Sequence, residues 1–344
     1  MTKHVESFGG FSWIRVQFSA PPPSLNFGFR ISECGFENRL WEQSSSNEIV
    51  KSETRNPQSE ISTLPIGIFD SGVGGLTVYR ALHERLPYEH FVYLGDTARV
   101  PYGTKSLATV ERYAIENSRF LQAHGIKLLV VACNTASALA LPAIRAAVNV
   151  PVVGVIGPGA RAAAAIVAGK KIGVIATEAT VHSGAYARAI GKINPALKVI
   201  ECACPLFVSL AEEGWAGSDV TRAVAAEYLT ELKAEDIGAL VLGCTHYPIL
   251  RAIISETIGR DVPLIDSGEA AAAEVATLLQ SNGLLSAKGT TAELRERHLG
   301  DDLDHFYVTD AAERFAKVAE RFLGTAPAVL EAVEVWGHDE LRTN

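Results

Sequence analysis

From Pro65 onward the chain alternates short, almost fully apolar runs with longer amphipathic ones. The apolar runs at 66–69, 90–94, 126–132, 150–156, 171–176, 197–202, 238–243, 263–265 and 305–308 have strand length. Strands with no polar alternation belong in a parallel sheet covered on both faces. Between them, helical periodicity predicts helices from the glycine-rich turn at 70–75 to about 86, over 106–125, 160–168, 179–191, within 205–233, and over 247–259, 269–281 and 310–323. Ser106 is placed to cap the long first-half helix and Gly125 to end it. Another helix follows residue 133, and Pro142 should break or kink it. Strands alternating with helices at this spacing predict an α/β fold of parallel βα units, whose ligands sit at the carboxyl ends of the strands.

The pattern also repeats. Residues 128–137, LLVVACNTAS, are echoed by 239–248, ALVLGCTHYP, and 66–71, IGIFDS, by 172–177, IGVIAT. Ile66 precedes Cys133 by 67 residues and Ile172 precedes Cys244 by 72, so order and spacing both match. Two pseudo-symmetric domains are expected, each with a central parallel sheet flanked by helices and a cysteine at an equivalent strand end. The crossings fall at Gly157-Pro-Gly159 and Asp266-Ser-Gly268. The first domain is then 65–156 plus 267–335, the second 157–266, and 336–344 a tail. Residues 1–64 lack sustained periodicity and read as a flexible polar extension carrying scattered Phe and Trp.

Composition narrows the class. The 344 residues are 48% hydrophobic and 20% charged, with a formal charge of −8. This is an ordinary globular balance, and no basic surface invites nucleic acid or an anionic membrane. No apolar run is long enough to span a bilayer and no compact signal-peptide core is present, so the expected location is cytoplasmic. The five cysteines form neither a disulfide framework nor a CxxC metal site. Cys202 and Cys204 read as buried small residues.

The chemistry is drawn to the repeated cysteines. The turn at 70–75 is not a dinucleotide fingerprint, because the third glycine position is Thr77, and the Walker lysine is absent. Its glycines are expected to let backbone N–H groups approach a small anion. A single strand-end cysteine would be core filler. Core filler does not call for Asn134-Thr135 after one cysteine and Thr245-His246 after the other, where helix N-termini would favour a thiolate. Two thiols from different halves, without flavin, nicotinamide or metal signature, suit two-sided proton transfer: one removes a proton from a carbon and the other delivers one to the opposite face.

Residues 66–78 (IGIFDSGVGGLTV), 93–96 (YLGD), 100–103 (VPYG), 131–137 (VACNTAS) and 242–248 (LGCTHYP) resemble the motifs of bacterial glutamate racemases, within the aspartate/glutamate racemase superfamily. The resemblance covers about 65–335. It implies pyridoxal-independent, metal-free interconversion of L- and D-glutamate for peptidoglycan synthesis, with the active site in the interdomain cleft. Cys244 would take the α-proton of L-glutamate and Cys133 that of D-glutamate. Asp70 would assist Cys133, while His246 with Glu212, or Glu213 beside it, would assist Cys244. Asp70, Ser71, Tyr102, Gly103, Asn134, Thr135, Thr245 and His246 would bind substrate. The resemblance also implies a homodimer, and some members are described as binding DNA gyrase. A related racemase of aspartate or a hydantoin, or a regulatory binding protein on the same scaffold, is the alternative.

Overall fold

The computed structural model describes residues 4–8, 11–15, 57–167, 169, 171–286 and 297–336. Ten parallel strands form two sheets: β1 (Ile66–Asp70), β2 (Phe91–Gly95), β3 (Leu128–Val131), β4 (Val152–Gly154), β5 (Lys171–Ala176), β6 (Val199–Ala203), β7 (Ile237–Gly243), β8 (Leu264–Asp266), β9 (His305–Val308) and β10 (Leu330–Ala332). The first sheet runs β10-β9-β2-β1-β3-β4 and the second β8-β7-β5-β6. The stretch β2-β1-β3-β4 of one therefore matches β6-β5-β7-β8 of the other. The echo seen in the sequence is an echo in space: each cysteine-bearing strand pairs directly with the first strand of its own half, through Phe69↔Val131 in one sheet and Ala176↔Gly243 in the other.

The strands are apolar because both faces are covered. β1, β2 and β3 are buried at every position. The covering helices cross between the halves. Helix Ile156–Ile166 follows β4 of the first sheet but packs against β7 and helix Ala185–Ile193 of the second. Helix Ser267–Ser281 follows β8 of the second sheet and packs against Leu76–Arg85 of the first. The two exchanged helices also touch one another, so the halves are joined by an apolar seam.

Local differences from the expected elements have local causes. The helix expected at 160–168 begins at Ile156, and Gly157-Pro-Gly159 lies in its first turn; a proline there costs nothing, since the first helical N–H groups have no intrahelical partner. The single helix expected over 179–191 is two, Glu178–Ser183 and Ala185–Ile193, broken at Gly184 with φ +58°. Pro142 does separate two helices, Asn134–Leu139 and Leu141–Ala147. β10, Leu-Glu-Ala, was not anticipated because three residues show no periodicity. Ser106 accepts from Thr109 N–H at 3.4 Å, as a capping residue should.

The expectation of a flexible extension falls largely outside the described residues. Within it, His4–Phe8 pairs antiparallel with Phe11–Arg15, and Pro57–Ser62 is helical. The extension's last turn is tied to the body, because Lys127 Nζ donates to Ser62 O at 2.7 Å. Most of the 336–344 tail lies outside the described residues as well. Among the described residues, no helix is long and apolar enough to cross a membrane.

Candidate active site

The carboxyl ends of β1, β3, β5 and β7 bring Asp70, Cys133, Thr177 and Cys244 to the junction between the sheets. Contact across it is close. Thr77 Oγ1 donates to Thr245 O at 2.8 Å. A Cβ on Gly74 would lie 2.3 Å from Thr245 Oγ1 and 2.4 Å from His246 Cε1, so only glycine fits there. A Cβ on Gly103 would come within 2.9 Å of the Thr177 Cβ.

The glycine-rich turn closes on a carboxyl group of its own. Gly72 N–H donates to Asp70 Oδ2 at 2.9 Å, and the N–H groups of Gly75 and Ser71 also face that carboxyl. The turn thus wraps Asp70 itself. Asp70 is fully buried, and burial raises its pKa above the ordinary carboxylate value despite the nearby His246 charge and the three N–H groups.

The two thiols have different surroundings. Cys133 caps helix Asn134–Leu139, its Sγ accepting from Ala136 N–H at 3.4 Å, and its thiol donates to Ser71 Oγ at 3.4 Å. Burial, reinforced by Asp70, pushes its pKa up to about 12, more than the helix terminus and Ser71 restore, so it is held as a thiol. Cys244 Sγ lies 3.7 Å from His246 Nδ1, and His246 Nε2 lies 3.1 Å from Glu212 Oε1. The helix-terminus support expected for both cysteines is therefore present for Cys133, while Cys244 faces an imidazole. Burial alone would discharge His246. Its contacts with Cys244 and Glu212 outweigh burial and raise its pKa to about 10, giving the Cys244 side a cation at neutral pH. Burial opposes the Glu212 charge, yet the His246 bond and charge and Arg314 hold its pKa below the usual value. Of the doublet, Glu212 makes these contacts, and Glu213 is exposed.

A raised histidine pKa makes a pH prediction. The stabilisation is complete below the unfolded value near 6.5 and is lost as pH climbs through about 10. The thermal midpoint should fall across that range in the wild type and fall less in Glu212→Gln. Parallel midpoint curves for the two proteins would dissociate His246 from Glu212.

The remaining expected residues fall into two groups. Asn134 Oδ1 accepts from Tyr186 O–H at 2.7 Å, and Thr135 Oγ1 lies 3.0 Å from Thr177 Oγ1 and 3.3 Å from Thr180 Oγ1. Asp70 Oδ1 and Asn134 Nδ2 are buried without a hydrogen-bond partner among the described residues. Leaving such groups unpaired costs about 1–3 kcal/mol each. Tyr102 differs, because its hydroxyl is committed inside the first half. It donates to Asp96 and accepts from Asn117 Nδ2 at 3.1 Å, in a network closed by Arg99. At the junction, Gly103 is the neighbour that meets Thr177 of the second half. Thr177, Thr180 and Tyr186 escaped the sequence reading, although the echo placed Thr177 opposite Ser71. Among the described residues, no group of three or more His, Cys, Asp or Glu could hold a metal ion.

Known proteins resemble this chain in sequence and in fold. Residues 66–275 match the family described as Asp/Glu/Hydantoin racemase. The chain is 52% identical to a glutamate racemase of Geobacter metallireducens over 259 residues, 75% of this chain and 92% of that one. It is 48% identical to that of Syntrophus aciditrophicus over 271 residues, 79% and 97% of the two chains. In structure it is similar to a glutamate racemase isoform of Bacillus anthracis (TM-score 0.72, 38% identity, covering 79% of this chain and 98% of that one). It is equally similar to the Francisella tularensis glutamate racemase solved in complex with D-glutamate (TM-score 0.72, 41% identity, 80% and 98%).

Proposed function

Since the chain belongs to the Asp/Glu/hydantoin racemase family, among its glutamate racemases, we propose that it interconverts L- and D-glutamate by two-base proton transfer between Cys133 and Cys244. The carrying observation is the pair of free thiols at matched strand ends of two matched sheets, each with its own polar partners. In the L-to-D direction a Cys244 thiolate, with His246 as its counter-charge, takes the α-proton, and the Cys133 thiol delivers its own to the opposite face. The products are a Cys244 thiol, a Cys133 thiolate and the inverted amino acid; the reverse reaction exchanges the roles. Proton transfer by a positioned acid or base contributes roughly 10²- to 10⁴-fold. The rest of the barrier falls to fixed donors around the developing carboxylate-conjugated anion. Asn134 Nδ2 is available for this, with the hydroxyls of Ser71, Thr135 and Thr245. Asp70 would handle the proton on the Cys133 side and the His246–Glu212 pair on the other.

Thr177 and Thr180, which meet Thr135 across the junction, extend the binding wall into the second half. Tyr186 fixes the Asn134 amide so that its nitrogen faces the ligand. Tyr186→Phe removes one neutral hydrogen bond, worth about 0.5–1.5 kcal/mol, and is expected to lower kcat/KM roughly two- to tenfold. Unchanged kcat/KM would remove Tyr186 from the binding set.

D-Glutamate made this way would supply peptidoglycan synthesis. Polarimetry on L-glutamate and L-aspartate in buffer free of pyridoxal phosphate and metals tests the reading. Rotation should decay for L-glutamate alone. Faster decay with L-aspartate would move the assignment to the related substrate, and no decay with either would favour a binding protein on this scaffold.

A further inference from the structure

Cys202 and Cys204, expected to be core filler, take no part in the proposed reaction. Cys202 is on β6 and Cys204 directly follows the strand's last residue, Ala203. Their sulfurs are 3.9 Å apart and both thiols are free. The pair faces helix Asp219–Ala234, whose Tyr228 carbonyl accepts from the Cys202 thiol at 3.3 Å. β6 is an outer strand of its sheet, Cys202 is partly exposed, and Cys204 is fully buried, so a reagent meets Cys202 first. The Cys204 thiol donates to the Cys202 sulfur, and this contact lowers the Cys202 pKa, favouring it as the attacking thiolate.

Geometry decides what the pair can accept. Residues two apart in extended chain have Cα atoms about 6.6 Å apart, at the upper end of the range a disulfide tolerates. Direct closure must also bring the sulfurs to about 2.05 Å. One soft atom between them needs almost no movement, because bonds of about 2.3 Å at a tetrahedral angle span about 3.8 Å from sulfur to sulfur. A divalent metal would need four donors, and no such set of side chains is available among the described residues. An electrophile that carries its own third substituent needs only the two thiols.

We propose that Cys202 and Cys204 form a dithiol site, outside the active cleft, that captures thiophilic electrophiles of the monosubstituted trivalent arsenical class by bridging both sulfurs. In the reaction R–As=O meets two thiols, two As–S bonds form, and the oxygen leaves as water carrying both thiol protons. Arsenic stays trivalent, so no oxidant or reductant is needed. The site lies close behind the Cys244 loop: Tyr247 O–H donates to Cys204 O at 2.9 Å, and Tyr247 N–H to Cys244 O at 3.1 Å. It uses none of the groups assigned to catalysis.

The test treats the full chain with one equivalent of phenylarsine oxide in the presence of glutamate, followed by intact mass, thiol titration and peptide mapping. One phenylarsenic group per chain is expected, with two thiols lost, on the peptide carrying positions 202 and 204. In Cys202→Ser and Cys202→Ala that adduct should disappear while racemase activity stays within about twofold of wild type, as for a half-exposed site away from the cleft. An adduct linking Cys133 to Cys244 would overturn the proposal. So would undiminished capture in both variants, or no adduct on the wild-type chain.

Discussion

Replacing either Cys133 or Cys244 with serine is expected to reduce racemisation of glutamate by about 10³-fold or more. An alcohol is a far weaker acid than a thiol, so serine can neither hold the basic form near neutral pH nor return the proton at the same rate. Both cysteines are buried, and serine is nearly isosteric, so folding should survive and the loss should be in kcat. The two variants should differ in one informative way. Cys133→Ser keeps the thiol that attacks L-glutamate, so in deuterium oxide it should exchange the α-hydrogen of the L-isomer without inverting it. Cys244→Ser should do the same for the D-isomer. Wild-type turnover in either variant would sink the two-base mechanism, and identical exchange preferences would sink the assignment of each thiol to one enantiomer.

Gly74→Ala is expected to cost roughly 10²-fold in kcat/KM, the scale associated with a displacement of about 1 Å at a reacting centre. The added methyl would collide with Thr245 Oγ1 and the His246 ring, both in the wall of the second half. Neither is the free end of a flexible chain, since Thr245 O is held by Thr77 and His246 is held between Cys244 and Glu212. The collision therefore moves the Cys244 side relative to Asp70 and Cys133. Gly191→Ala provides the control: a Cβ there meets nothing within 4 Å, and Ala in a helix is favoured over Gly by roughly 0.5–1 kcal/mol. Kinetics of the two variants, with their thermal midpoints, separate site geometry from general stability. If Gly74→Ala retains wild-type kcat/KM, the close approach at this position has no bearing on catalysis.

Much of the site was legible because its residues are local to strand ends. Asp70, Cys133 and Cys244 follow apolar runs directly, and a buried parallel strand leaves little freedom over where its next residue points. The neighbours on the chain, Ser71, Asn134, Thr135, Thr245 and His246, were legible for the same reason. Tyr102 shows the limit. Its motif was visible, but the hydroxyl bonds Asp96 and Asn117, which lie on other elements, and no hydrophobic period fixes a side-chain direction set by such partners. Likewise Tyr186 and Thr180 belong to ordinary amphipathic helices, and only contact with Asn134 and Thr135 makes them part of the site.

By itself, the sequence determined the alternation of strands and helices, the doubling of the fold and the strand-end position of both cysteines. These depend on hydrophobic period and repeat spacing, which act within a few residues or within one half. Tertiary structure alone decided that Asp70 is wrapped by its own turn, that Glu212 rather than Glu213 holds His246, and that burial keeps Cys133 a thiol while the Cys244 side carries a cation. Desolvation and charge pairing depend on which groups surround a site in space. Asp70, Ser71 and Cys133 meet inside the first half and Glu212, Cys244 and His246 inside the second, each set drawn together from separate strand ends and helices.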